Sequence, residues 1–160
     1  MLKSLVLSAA GLAFAATAFC APAMADEVTY RNDRYGTSAT FPSSEFPDRL
    51  PAPTNGDGMA WRSPDGAELF IYARHNRGNE TPQTIIADRT KADDVTYKAS
   101  GNTWAVVSGY HDGKIFYERY IFRGDLIHSV AIRYPKSLRS EYDPLVGEIT
   151  NSLRGPSREG

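Results

Sequence analysis

Cysteine is almost absent. Cys20 is the only one, and from Asp26 onward there is none. That stretch can hold no disulfide, no thiolate nucleophile and no cysteine-ligated metal. Histidine is scarce as well. His75, His111 and His128 show no His-x-x-x-His or comparable spacing, so no metal is expected. No Gly-x-Ser-x-Gly elbow and no phosphate-cradling glycine loop occurs. An excess of one charge is missing too, with 18 basic against 19 acidic residues and no lysine- or arginine-rich block. Nucleic acid and anionic membrane surfaces call for a concentrated basic face, so neither is an expected partner.

Long apolar runs are confined to the start. Lys3 precedes Leu5 to Phe19, an uncharged stretch, and Ala23-Met24-Ala25 with Asp26-Glu27 follows. These are the three parts of a secretory signal peptide, and the run falls short of the ~20 residues that span a bilayer. Residues 1–25 read as the leader, cleaved after Ala25, which places the mature chain in the periplasm or outside the cell. Phe19 stands where a lipoprotein needs a small residue, which argues against lipidation of Cys20. Loss of Lys3 leaves 17 basic against 19 acidic residues. Residues 26–155 read as one domain and 156–160 as a disordered tail. A chain of this size buries roughly two-thirds of its unfolded surface, enough for a core without disulfides.

What is present centres on Thr103 to Phe122, TWAVVSGYHDGKIFYERYIF. Two strand patterns flank Asp112-Gly113, the strongest short signal for a two-residue hairpin turn. Counting outward pairs Tyr110 with Ile115, Ser108 with Tyr117, Val106 with Arg119 and Trp104 with Ile121. The opposite face carries Gly109 with Phe116, Val107 with Glu118, Ala105 with Tyr120 and Thr103 with Phe122. Both faces are mostly apolar, so the hairpin belongs inside a layered domain with cover on each side.

Around it, Val28 to Arg31 and Thr37 to Phe41 read as short strands. Ser43 to Gly58, with three prolines and Asn55-Gly56-Asp57-Gly58, reads as a long loop. Strands follow at Met59 to Arg62 and Ala67 to Arg74, turned by Pro64-Asp65-Gly66. Thr81-Pro82 opens a helix to about Ala92, with Ile85, Ile86 and Arg89 on its inner side. Val95 to Ser100 leads into the hairpin. Arg123-Gly124-Asp125 turns it into a last strand, Leu126 to Tyr134. Leu138, Tyr142, Leu145, Val146, Ile149 and Leu153 then mark one face of a terminal helix starting near Ser137 or Asp143. The layout is α+β: an antiparallel sheet of about six to eight strands flanked by two helices.

Several residues carry potential chemistry. Ser108, His111 and Asp112 lie close in sequence, but on a hairpin end their side chains diverge, so no triad is expected. Gly56-Asp57-Gly58 with Asp65-Gly66 lacks the regular spacing of a calcium loop and reads as turn chemistry. Trp61, Tyr72, Tyr97 and Tyr120 read as sheet and core residues. Glu118 and Arg119 sit mid-strand on opposite faces, where a charge must be paired or wet. Arg119 with Trp104 and Tyr117 forms a possible ligand patch, a cation beside aromatic walls. The alternative is an arginine stem packed on the core with its head on an acidic partner.

The stretches Tyr35-Gly36-Thr37-Ser38-Ala39-Thr40-Phe41-Pro42, Asn55-Gly56-Asp57-Gly58, Ser63-Pro64-Asp65-Gly66 and Thr96-Tyr97-Lys98 resemble small exported proteins of Gram-negative bacteria. So do Trp104 to Gly109 with Asp112 to Arg119, and Tyr134-Pro135 through Ser152-Leu153-Arg154. The element order is similar to the PsbP/Mog1-like fold. That resemblance implies an antiparallel sheet between helices, a role in binding or supporting other proteins, and no shared catalytic site. It transfers no functional residue to this chain. The expectation is a non-catalytic binding or accessory module without cofactor or metal, contacting an envelope protein through Asn55, Gly56, Asp57 and Gly58. The alternatives are a small-ligand carrier or hydrolase at Arg119, and an envelope-stress or structural protein with no specific ligand.

Overall fold

A computed structural model describes residues 26–157. The leader reading, on residues 1–25, and the end of the tail reading, on residues 158–160, lie outside them.

The hairpin forms as the alternation dictates. Strands β7 (Trp104–His111) and β8 (Lys114–Arg123) pair Trp104 with Ile121, Val106 with Arg119 and Tyr110 with Ile115. Asp112 (φ 46°) and Gly113 (φ 78°) both take the left-handed conformation of a type I′ turn, which matches the strand twist. Val106 is 3% and Tyr120 6% exposed, so both faces are buried.

The remaining strands are β1 (Glu27–Arg31), β2 (Ser38–Pro42), β3 (Asp48–Arg49), β4 (Gly58–Arg62), β5 (Glu68–His75), β6 (Asp94–Ser100) and β9 (Leu126–Pro135). Seven of them form one antiparallel sheet in the order β3-β4-β5-β9-β8-β7-β6. β1 and β2 pair only with each other, as a separate two-stranded ribbon. The expected long loop at 43–58 is interrupted by β3, and Gly58 already belongs to β4.

Helix α1 (Pro82–Ala92) begins at Thr81, whose hydroxyl accepts from Thr84 N–H while the Thr84 hydroxyl accepts from Thr81 N–H. It lays Ile85 and Ile86 on Ala105, Tyr120, Ile127 and Phe122. Helix α2 (Arg139–Asn151) starts one 3-10 turn after β9 and runs through Pro144 without a second cap at Asp143. Tyr142, Val146 and Ile149 pack on the other face with Leu69, Ile71, Val130 and Ile132. The β1-β2 ribbon completes that layer: Phe41 and Tyr30 meet Trp61 at ring separations of 4.8 and 5.1 Å. α1 lies over β6 and β7 and reaches β8 and β9 through Ile85, Ile86 and Arg89, leaving the β4-β5 end of its face uncovered, whereas α2 and the ribbon cover the opposite face.

Tyr97 departs from the sequence reading. It is 52% exposed, because β6 is the edge strand and its register shifts between Val95 and Tyr97. Pro156, assigned to the tail, instead docks its carbonyl on His128 Nε2 at 3.1 Å.

Candidate functional site

Side chains alternate along β8, so Glu118 and Arg119 are sent to opposite faces. On the α1 face, Glu118 is 3% exposed. Its Oε1 accepts from Arg89 at 3.2 Å and Arg133 at 3.3 Å, and its Oε2 accepts from the Tyr120 hydroxyl. Burial, then the neighbouring Tyr72 and Glu118, pushes the Tyr120 hydroxyl far up, so it remains a proton donor. Arg89 also reaches Asp93 at 3.0 Å and lies over the Phe116 ring at 4.7 Å. Asp93 in turn meets His111 Nδ1 at 2.5 Å, while His111 stays half exposed beside the turn. Every carboxylate of this cluster has a cationic neighbour, the arrangement of a structural ion-pair network.

The α2 face holds the opposite case. Arg119 Nη1 reaches only the Asn151 side-chain oxygen, at 3.4 Å, and its guanidinium stands 5.6 Å from the Trp104 ring. No carboxylate pairs with it among the described residues. Arg119, Ile121 and Arg123 share one strand face by their spacing of two. Arg31 from the end of β1 and Arg154 from the segment after α2 meet them around an open cavity of about 480 Å³. Trp104, one of the aromatic walls named beside Arg119, stands next to its guanidinium. Tyr117 packs into the adjoining core rather than lining the cavity. The basic face judged missing from the sequence is thus assembled by the fold, from three separate segments.

His128 lies behind the cavity wall, against Gly155 and Pro156. Its Nε2 donates to the Pro156 carbonyl, so in the neutral ring Nδ1 accepts from the Thr37 hydroxyl at 2.7 Å. Burial depresses its pKa, and the charge of Arg123 adds to that, against the pull of the Pro156 carbonyl. It is a buried histidine with both ring nitrogens hydrogen-bonded. His75, bound to Asp125 at 2.8 Å, and His111 sit at opposite ends of the sheet. Ser108 donates to the Phe116 carbonyl at 2.8 Å, whereas His111 Nε2 and Asp112 Oδ2 do meet, at 3.1 Å, against the divergence expected of these side chains. No metal-ligating group of three occurs among the described residues.

A third feature lies beside the 43–58 segment. Phe70, Tyr72 and Ala60 form an apolar floor on the α1 face beyond the reach of α1, and Leu50, Pro51 and Pro53 rise along its rim, enclosing about 300 Å³. The rim is pinned from behind. Asn32 Nδ2 donates to the Gly56 carbonyl at 3.0 Å, Arg34 to the Asn55 carbonyl, and Ala73 N–H to the Asp57 carbonyl at 2.8 Å. Asn55 and Gly56 are exposed and Asp57 half-buried, but Gly58 is buried in β4. A Cβ there would lie 2.4 Å from the Ile71 carbonyl, so glycine is required by close strand packing.

No protein-family profile and no curated protein matches the sequence. Among solved structures, the chain is similar to the solution structure of cyanobacterial PsbP from Synechocystis sp. PCC 6803. The two share 9% identity at a TM-score of 0.57, over 85% of this chain and 96% of that one. The fold is PsbP-like. At that identity the PsbP-like likeness extends to architecture, and the chemistry must be read from this chain's own side chains. No helix among the described residues is long and apolar enough to cross a membrane.

Proposed function

We propose that the chain is an exported, non-catalytic accessory module that binds an envelope protein through the rim and floor of the recess beside residues 50–58. The observation that carries this reading is the half-covered sheet face. α1 does not extend over β4 and β5, and the Phe70–Tyr72–Ala60 floor is left apolar, half-buried and open under a proline-lined rim. Apolar surface of this kind, framed by polar residues, is what a partner's side chains bury. Asn55, Gly56 and Asp57 form the outer edge of the surface, and Gly58 supplies backbone geometry only. A PsbP-like architecture and a near-neutral composition are both compatible with such a role.

The test uses the mature chain as bait in a periplasmic extract, beside Leu50→Asp and Pro53→Asp. Both positions are on the rim and outside the core, so folding is retained and can be verified by thermal melting. The expected result is a captured protein that both variants lose and Arg119→Met keeps. Capture that survives both rim variants, or no capture at all, overturns the reading. Fractionation and the mass of the mature chain, beginning at Asp26, check export.

A further inference from the structure

The charges of this chain are not evenly satisfied. Arg62, Arg74, Arg89, Arg133 and Arg139 each hold a carboxylate. Arg31, Arg34, Arg49, Arg77, Arg119, Arg123 and Arg154 hold none among the described residues; Arg34, Arg49 and Arg77 are exposed elsewhere, and the other four line one cavity. Three of them spend a single guanidinium nitrogen on one or two neutral oxygens. Arg119 takes the Asn151 amide at 3.4 Å, and Arg123 the Phe122 carbonyl at 3.0 Å. Arg154 takes the Asn151 and Leu153 carbonyls, both at 2.8 Å, which caps the end of α2. The other nitrogens of each fork remain available, and Arg31 makes no side-chain hydrogen bond among the described residues. None of the lining residues is acidic.

We infer that this cavity is a binding site for a small, multiply charged oxyanion bearing phosphate or carboxylate groups. The guanidinium fork matches two oxygens of either group. Arg119 and Arg123 are four residues apart on one strand, roughly 13 Å between Cα atoms, a span that suits two anionic groups rather than one. Ile121 and Leu153 supply apolar wall, the cavity's volume is that of small-ligand sites, and Asn151 adds a neutral polar contact. Trp104 stands 5.6 Å from the Arg119 guanidinium, within cation–π range. Structure alone gives no reason to gather four like charges, since nearby like charges repel. An anion supplies the missing partner. The site is on the opposite sheet face from the protein-binding recess, so the two can be separated experimentally.

The experiment titrates the mature chain with inorganic pyrophosphate, citrate and inorganic phosphate at constant ionic strength, following the arginine Nε–H signals by NMR. Saturable shifts are expected at Arg31, Arg119, Arg123 and Arg154, with those of Arg74 and Arg133 unmoved. Pyrophosphate or citrate should bind at least ten-fold more tightly than phosphate, and Arg119→Met should weaken binding ten-fold or more. Arg119→Lys, which keeps the charge but loses the fork, should fall between. Melting of each variant without ligand confirms that it folds, and an Arg123→Gln variant repeats the test away from the sheet centre. Co-sedimentation with phosphatidylglycerol vesicles separates the sources of a phosphate group. Soluble anions bound without vesicle binding support the inference. Vesicle binding that Arg119→Met abolishes, with no response to pyrophosphate or citrate, overturns it in favour of a lipid headgroup. No saturable shift from any anion at millimolar concentration overturns it outright.

Discussion

Glu118 and Arg119 are neighbours in sequence and opposites in circumstance. Glu118 is sealed on the α1 face and receives three donors from α1, β9 and its own strand. Arg119 is half-buried on the α2 face and receives a neutral amide and an aromatic ring. Each is an ion placed mid-strand in a central part of the sheet, where a charge must be compensated or hydrated. The chain compensates one from within and leaves the other to solvent or to a ligand. Internal compensation therefore separates structural charges from those open to binding, and several substitutions can challenge that division.

The largest effect is expected at Glu118. Glu118→Ala leaves Arg89 and Arg133 facing each other without their shared anion and takes away the Tyr120 acceptor. Loss of one partner of a buried ion pair costs about 3–5 kcal/mol. A large fall in the chemical-denaturation midpoint is the expected outcome, and Glu118→Gln, which keeps an acceptor, should recover part of it. A loss under about 1 kcal/mol would mean that the network is not structural and would erase the contrast with Arg119.

Gly155→Ala comes next and probes the other face. A Cβ at Gly155 would stand 2.2 Å from the His128 ring, so the segment carrying Pro156 must move away. Overpacking of this kind costs about 1–3 kcal/mol. It should also disturb the arginine cavity, whose wall includes Gly155 and Pro156. Unchanged melting together with unchanged anion binding would show that this wall is soft.

Acid offers a milder probe of the same contact. The folded-state pKa of His128 is lowered by burial from its ordinary value of 6.5. Its contribution to stability is therefore complete above pH 6.5 and is lost as the pH falls from there through the folded-state value. The melting temperature should drop between neutral and mildly acidic pH, and His128→Gln should flatten that slope. An equal slope in both proteins would assign the acid sensitivity to groups other than this imidazole.

Much of this architecture was legible in the residues. The Asp112-Gly113 turn and the period of two set every pair of the hairpin and sent Glu118 and Arg119 to different faces. Thr81-Pro82 opened α1, and the spacing from Leu138 to Leu153 gave the buried side of α2. Long-range placement was not legible. The β1-β2 ribbon reads like any hairpin, and only tertiary packing removes it from the main sheet. Tyr97 has a core-like composition around it, but an edge strand with a bulge turns it outward. The arginine cavity was hidden because Arg31 and Arg154 reach β8 only through the ribbon and its bridge, where Ser38 and Arg154 exchange backbone hydrogen bonds of 2.9 and 2.8 Å. A usable local signal did exist: Arg119 and Arg123 share a strand face with Ile121 between them and no acid.

The smallest stability effect belongs to Arg119, and its smallness is the point. Arg119→Met keeps an aliphatic stem against Trp104 and Ile121 and gives up a cation–π contact worth about 0.5–1 kcal/mol at an accessible position. It also relieves repulsion from Arg31, Arg123 and Arg154, which works in the opposite direction. The net change in unfolding free energy at low salt should stay within about 0.5 kcal/mol. A structural arginine behaves otherwise, since removing it would strand a buried carboxylate, and no carboxylate leans on Arg119 among the described residues. If Arg119→Met instead cost as much as Glu118→Ala, the guanidinium would be holding the sheet together, and the two neighbours on β8 would no longer represent different uses of charge.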